Sequence, residues 1–488
     1  MPDLASYTLP RAKPYKYALA LLAGTFILPV GAYLNGFPLI YPDSASYLQD
    51  GLRGMTDLPR AMGYALFLSP FAASRVLWPV VFVHSAITVV FIEAFLRSVG
   101  LIRSRLNFVV LLIVLAGLTP LGWTVSWILP DFTVPLVILG IAAIVVNVSA
   151  RREIHPGFLC LIGLVAILHS STIILLPAVS IMAAALGGVQ FLIQKIDRTQ
   201  LRHLLGVLGV LVIGSTAVGT AVNAVALAHF SPLPPYTAPF LLARFAANGL
   251  LQDYLAAHCG ESRFRICEYQ NDLPRNSERF LWDETRPFTR LGAFHGYSRE
   301  AAVLNAEIIQ TYPVRVALLA FKDAGQQLVL LDIRDGMRLA SANPYIVPML
   351  QAMGFNLDAY FAAGQHREDF PGEFVVRAYY FIALASLIII AIIFCIRRVP
   401  FPLVWAAAPI VVGGILINSF ITGAGSGPSD RYNTRVVWLL PLLAIALTLG
   451  PKFQPTPPLL LGTPTGEDGL SPYSQSHWHK KSVRPPPL

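Results

Sequence analysis

Two carboxylates and a few arginines and tyrosines stand out, because the chain has few charges to place. Asp43 lies in Tyr41-Pro42-Asp43-Ser44-Ala45-Ser46-Tyr47 and Arg60 in Pro59-Arg60-Ala61-Met62-Gly63-Tyr64; Asp131 lies in Leu129-Pro130-Asp131-Phe132, and Arg431-Tyr432 follows Asp430. A partly buried carboxylate has its pKa raised and can take a proton from a hydroxyl. A planar guanidinium can hold phosphate oxygens with two parallel bonds, and more strongly as negative charge develops on them. These types suit attack of a hydroxyl on a carbon bonded to phosphate, with Asp43 as base and Arg60 and Arg431 on the phosphate. Asp131 would orient hydroxyls, and Tyr47 and Tyr64 would supply stacking surface and hydrogen bonds. His169, followed by Ser170 and Ser171, is a candidate lining residue, against the competing reading of a hydrogen-bonded structural histidine. The bland readings are helix capping for the two acids and headgroup anchoring for the arginines. His84 reads as a packing contact between helices.

The elements that must position these residues are membrane spans. The 488 residues are 55% hydrophobic and 13% charged, with mean hydropathy +0.60; a soluble domain carries about 25% charged residues. Apolar runs of the length needed to cross a hydrocarbon core of about 30 Å predict ten helices, at 17–34, 76–96, 108–125, 132–148, 158–168, 172–192, 204–228, 376–396, 403–421 and 436–449. Arg11, Lys13 and Lys16 precede the first; Arg97, Arg103 and Arg105, then Arg151 and Arg152, then Lys195, Arg198 and Arg202, then Arg397 and Arg398, fall in alternate connections. That pattern puts both termini in the cytoplasm.

The expected organisation is a membrane domain over 1–228 with seven spans and a first outside loop at 35–75, an outside domain over 229–374, three further spans over 375–450, and a Pro-rich disordered cytoplasmic tail over 451–488. The 229–374 segment holds 13 Lys+Arg against 16 Asp+Glu, although the whole chain holds 36 against 27. The basic excess therefore tracks orientation, and no nucleic-acid motif accompanies it. Helical spacing in Ala301–Leu319 and Gln326–Leu331 predicts a mostly helical outside domain. The first outside loop predicts two short interfacial helices. The first apolar run reads as a retained anchor, since no small-residue cleavage site follows it.

Cys259 and Cys267 lie eight positions apart in the outside segment, where an oxidising compartment permits a disulfide; two free thiols are the alternative. No CxxC metal pattern is present. Gly423, Gly425 and Gly427 are expected to form a flexible connection, since no Lys-Ser/Thr follows them. Gly206, Gly209, Gly214 and Gly219 are expected at a close helix contact, and Trp123 and Trp127 in an interfacial aromatic belt.

In architecture and short motifs, and not as a close match to one protein, the chain resembles the GT-C superfamily of polyprenyl-phosphate-sugar glycosyltransferases, which includes the aminoarabinose and protein O-mannosyl transferases. The resemblance rests on an Asp-x-x-x-Tyr pattern after the first span (Asp43, Tyr47), an Arg with a downstream Tyr (Arg60, Tyr64), an acid between the third and fourth spans (Asp131), and Arg-Tyr before the last span (Arg431, Tyr432). It implies an all-α polytopic GT-C-like fold and an inverting glycosyltransferase in a bacterial inner membrane. The implied partners are a polyprenyl-phosphate-linked sugar donor, membrane lipids, and a glycan, lipid or protein acceptor. Many members pair two adjacent acids in the first loop, whereas Ser44 follows Asp43 here, which disfavours a paired-carboxylate metal site and leaves a divalent metal as an open expectation. Two other classes stay in view. A transporter or flippase would place paired ionisable groups or broken helices near the midplane. A surface-polysaccharide polymerase or ligase would draw on His258, His295 and His366 in the outside segment.

Overall fold

The computed structural model describes residues 14–56, 58–101, 104–261, 264–337, 343–368, 370–396 and 406–449. The expected tail over 451–488 and the basic residues Arg11, Lys13, Arg103, Arg397 and Arg398 lie outside them. All regular elements among the described residues are helices, apart from one isolated bridge between Leu39 and Trp127. Eight helices are long and apolar enough to cross a membrane: Ala18–Asn35, Trp78–Ser98, Pro130–Ser149, Ser170–Leu192, Arg198–Leu227, Glu373–Ile396, Ala408–Gly425 and Asp430–Leu449. The chain is an all-α polytopic membrane protein. Two further apolar helices, Arg105–Leu118 and Pro156–Ile167, are shorter and coincide with the third and fifth predicted spans.

Proline explains two departures from the predicted boundaries. The first span breaks at Pro29 into Pro14–Ile27 and Val30–Asn35. The predicted 108–125 run stops at Leu118, because Thr119 is extended and Pro120 starts the separate turn Leu121–Thr124; a proline cannot donate the backbone bond that would continue the helix. Pro130–Ser149 is the central element, with 94% of it buried.

The two interfacial helices are present as Pro42–Arg53 and Met62–Ser74, packed on each other through Gly51, where an added Cβ would lie 2.3 Å from the Ala65 carbonyl oxygen. Between the Arg198–Leu227 and Glu373–Ile396 helices, residues from Leu242 to Ile308 build a core of their own, around Phe245, Tyr254, Phe288 and Tyr297. Leu331, Ile333, Ile346, Leu350 and Tyr360, later in the same segment, belong instead to the core of the spans. Gln365 fastens this later part to the first loop: its Nε2 donates to the Ile40 carbonyl (3.1 Å), and its backbone N–H donates to Asn35 Oδ1 (2.6 Å). Cys259 and Cys267 are joined in a disulfide.

Three expectations need correction. Trp123 and Trp127 are buried, and Trp123 Nε1 donates to the Tyr379 hydroxyl at 2.8 Å, so they are core residues and not a belt. An added Cβ at Gly206, Gly209 or Gly214 would meet nothing, and only Gly219 lies at an ordinary contact distance; no close helix contact explains the other three. Gly423 and Gly425 end the Ala408–Gly425 helix, with only Gly427 in the left-handed region at φ 104°.

Candidate functional site

Asp43 sits in the first turn of Pro42–Arg53, where Pro42 fixes the helical φ and Tyr41 N–H donates to Ser44 Oγ at 2.9 Å. Asp131 occupies a 3-10 turn, Pro130–Phe132, that leads into Thr133–Ser149. The Leu39–Trp127 bridge aligns the two segments: Leu39 N–H donates to the Ser126 carbonyl (3.0 Å) and Ile128 N–H to that of Leu39 (2.9 Å). Arg431 and Arg435 stand one turn apart on Asp430–Val437 and so project from one face.

Arg431 bridges both acids. Its Nη1 donates to Asp43 Oδ2 at 2.8 Å and its Nη2 to Asp131 Oδ2 at 2.7 Å. Asp43 Oδ1 is paired with Arg60 Nη2 at 2.7 Å, and Asp131 Oδ1 accepts from Arg435 Nη1 at 2.9 Å. Side-chain exposure falls from 18% at Asp43 to 4% at Asp131 and 1% at Arg435. The carboxylates therefore face guanidiniums, not backbone N–H groups, and neither capping nor headgroup anchoring describes them. Three guanidiniums against two carboxylates leave this inner cluster with one surplus positive charge. Burial alone would raise the Asp43 pKa, but Arg60 and Arg431 more than reverse it and hold it below the usual carboxylate range.

Aromatic rings wall the cluster. The Arg431 guanidinium lies 4.4 Å from the Tyr41 ring centre, Arg60 lies 5.7 Å from Tyr47, and Arg435 lies 5.1 Å from Tyr432, distances at which cation–π attraction is appreciable. Burial raises the hydroxyl pKa of Tyr41 and Tyr47, so both stay protonated. Tyr47 also meets Tyr64 edge-on at 5.0 Å. Tyr64 is fully buried, and its hydroxyl lies 3.2 Å from His84 Nε2. His84 Nδ1 is 3.2 Å from the Val125 carbonyl; a carbonyl only accepts, so the ring proton is on Nδ1 and Nε2 accepts from Tyr64. The His84 ring stacks on Phe132, beside Asp131, at 4.0 Å. Tyr64 thus belongs to a buried string behind the acids.

His169 accepts the Ser171 N–H at Nδ1 (2.9 Å) and has its Nε2 3.3 Å from Arg435 Nη1. A neutral ring accepts at one nitrogen only, and the shorter backbone bond is the better one. Burial pushes the His169 pKa down to about 3, against the pull of Asp131, so the ring is uncharged at neutral pH.

A cavity of about 30 Å³, lined by Tyr41, Trp127, Asp131, Asp332, Arg431 and Arg435 among others, opens beside the cluster. It has room for about two waters. Asp332, which also lines it, is paired with Arg334 at 3.0 Å. Asp43, Arg60, Tyr47, Tyr64, His169 and Tyr432 do not line it, although Asp43, His169 and Tyr432 touch Arg431 or Arg435, which do, and Arg60 pairs with Asp43.

Arg435 stood out in the sequence only as one of the few outer-face charges, and it, Tyr41 and Asn418, whose Oδ1 accepts from Arg435 Nη2 at 2.9 Å, were given no role there. For Arg435 a signal exists: it is four residues after Arg431. His258, His295 and His366 do not converge; each contacts a different tyrosine, Tyr254, Tyr236 and Tyr360 respectively. The residues do not fit a metal ion: no group of three or more His, Cys, Asp or Glu among the described residues could hold one, and both central carboxylates are engaged by arginines. No protein-family model, curated protein or solved structure matches the chain.

Proposed function

We propose that this membrane protein is an inverting glycosyltransferase that moves a sugar from a polyprenyl-phosphate donor to a hydroxyl acceptor at the outer membrane face. The observation that carries the reading is the single guanidinium of Arg431 held between Asp43 and Asp131, which lie 388 and 300 positions from it in sequence. Buried ionisable groups are costly to place among spans and mark functional sites. The surplus positive charge of the inner cluster favours an anion, and phosphate is the anion that a forked guanidinium fits best.

In the closed arrangement the cavity is too small for a sugar, and Asp43 is a weak base because two arginines stabilise its charge. A donor phosphate entering beside Arg431 competes for the same guanidinium edges. As Arg431 and Arg60 turn to the phosphate, Asp43 loses the partners that hold its pKa down and gains basicity. It then takes the proton of the acceptor hydroxyl as that oxygen attacks the anomeric carbon from the face opposite the phosphate. The bond between anomeric carbon and phosphate oxygen breaks, and its electron pair leaves with polyprenyl phosphate, whose added charge Arg431 stabilises. Asp131 holds Arg435 and the Nε–Nη2 edge of Arg431 while the Nη1 that faces Asp43 turns to the phosphate.

The test is transfer of labelled sugar from polyprenyl phosphates by the purified, reconstituted protein. Substrate counterflow in proteoliposomes with no transfer would point to a transporter. Loss of function confined to His258, His295 or His366 variants would point to a polymerase or ligase.

A further inference from the structure

The helix Pro313–Val329, in the segment between the Arg198–Leu227 and Glu373–Ile396 spans, is built inside out for a water-facing domain. Its apolar residues Val314, Leu318, Phe321, Leu328 and Val329 are exposed, four of them between 65% and 69%. They recur at helical spacing along one stripe that also holds Ala317 and Gly325, and no charged residue interrupts it. The opposite face is buried at Asp323 and Gln327. Asp323 is 1% exposed and accepts from Arg244; Gln327 is 0% exposed and exchanges two bonds with the Ser429 backbone at 2.8 and 2.9 Å. In water the hydrophobic effect drives the reverse arrangement. A contiguous exposed apolar stripe marks contact with another apolar phase.

What that phase is follows from the neighbouring element. The helix packs along the Ala408–Gly425 span so closely that an added Cβ on Gly423 would lie 2.7 Å from the Asp323 carbonyl oxygen. Phe321 meets Phe420 of that span with ring centres 5.6 Å apart. Phe420 and Leu416 are themselves exposed, at 42% and 49%, as lipid-facing residues of a span must be. The stripe is therefore continuous with the lipid-facing surface of the bundle. Lys322 flanks it, placed to reach phospholipid headgroups, and Arg315 on the same flank is paired with Asp253.

We infer that Pro313–Val329 is a membrane-embedded helix whose Val314–Leu318–Phe321 stripe faces lipid acyl chains, so that the segment between the spans is anchored in the bilayer and not free above it. Through Gln327 and Ser429 it is joined to the turn that precedes Arg431, which ties the anchoring helix to the arginine cluster.

The experiment uses the full chain with Cys160 and Cys395, the exposed free thiols, replaced by Ser. A single cysteine is placed by Leu318→Cys, Phe321→Cys, Leu416→Cys or Asn271→Cys and labelled with an environment-sensitive fluorophore, in nanodiscs of ordinary or brominated phospholipid. Probes at 318 and 321 are expected to emit at the blue-shifted wavelength of the 416 probe and to lose most of their emission in brominated lipid, while the probe at 271 is unaffected. Water-like emission without quenching at both 318 and 321, with 416 still quenched, overturns the inference. Lack of quenching accompanied by cross-linking between two copies through position 318 also overturns it and assigns the face to a second copy. Two probed positions guard against a local disturbance at either one.

Discussion

Replacing Asp131 with Asn is expected to cost about 3–5 kcal/mol of folding free energy, the range for breaking a buried ion pair by removing one partner. The magnitude follows from what the substitution leaves behind. Asp131 accepts from Arg431 Nε and Nη2 and from Arg435 Nη1, at 3.2, 2.7 and 2.9 Å. Each such charge-assisted bond contributes about 1.5–3 kcal/mol, but the full sum is not lost, because the Asn oxygen still accepts and the side chains relax. The larger effect is on Arg435. It is 1% exposed, and without Asp131 its charge is met by the neutral side-chain oxygens of Asn418 and Ser171. The cluster would then hold three guanidiniums against one carboxylate. Removing the stranded charge should restore much of the loss, so Asp131→Asn combined with Arg435→Met is expected to be more stable than Asp131→Asn alone, with a coupling of about 1–3 kcal/mol. Graded unfolding in mixed detergent micelles, followed by tryptophan fluorescence, reads these differences. The reasoning is refuted if Asp131→Asn stays within about 1 kcal/mol of wild type, or if adding Arg435→Met makes it worse by the full single-mutant cost.

Three further outcomes are expected. The Asp43 carboxyl is held below its ordinary value of 3.8, so its ionised form stabilises the fold; that contribution is complete above about pH 4, and is lost as pH falls through the depressed folded value. The gap in thermal midpoint between wild type and Asp43→Asn should therefore be level from pH 7 to about 5 and close only under more acid conditions, and a gap that closes near neutral pH would contradict this. Replacing Cys259 and Cys267 with Ser removes an eight-residue closure and is expected to cost about 2–3 kcal/mol, measured by the same unfolding assay, with two thiols beyond Cys160 and Cys395 becoming open to alkylation in unfolded wild type only after a reductant is added. Gly423→Ala should destabilise by about 1–3 kcal/mol, since its Cβ would meet the Asp323 backbone; Gly209→Ala, which meets open space, should be neutral in the same comparison.

Much of the membrane architecture was legible because the signal is local: a span announces itself by length and hydropathy, and each of the eight membrane-length helices falls on a predicted run. Where the reading failed, the deciding fact lay in distant chain. Trp123 reads as an interfacial residue until Tyr379 is brought to its indole nitrogen. Gly206, Gly209 and Gly214 read as a packing face until the neighbouring helix proves to lie elsewhere. Asp43, Asp131 and Arg431 were each visible as isolated charges in an apolar chain, yet their sharing of one guanidinium needs contacts across 300 and 388 positions, which no local pattern encodes. Arg435 was legible in principle from its spacing after Arg431. The reversed polarity of Pro313–Val329 was not, because an amphipathic pattern fixes two faces without saying which one meets water.

The most direct test of the account is sugar transfer by the full chain in nanodiscs made from a bacterial lipid extract, supplied with labelled polyprenyl-phosphate hexoses and pentoses, wild type against Asp43→Asn. Transfer by wild type, reduced at least about 100-fold in Asp43→Asn as expected for loss of a general base, with the variant still folded, is the predicted result. Equal transfer by the two proteins would contradict it.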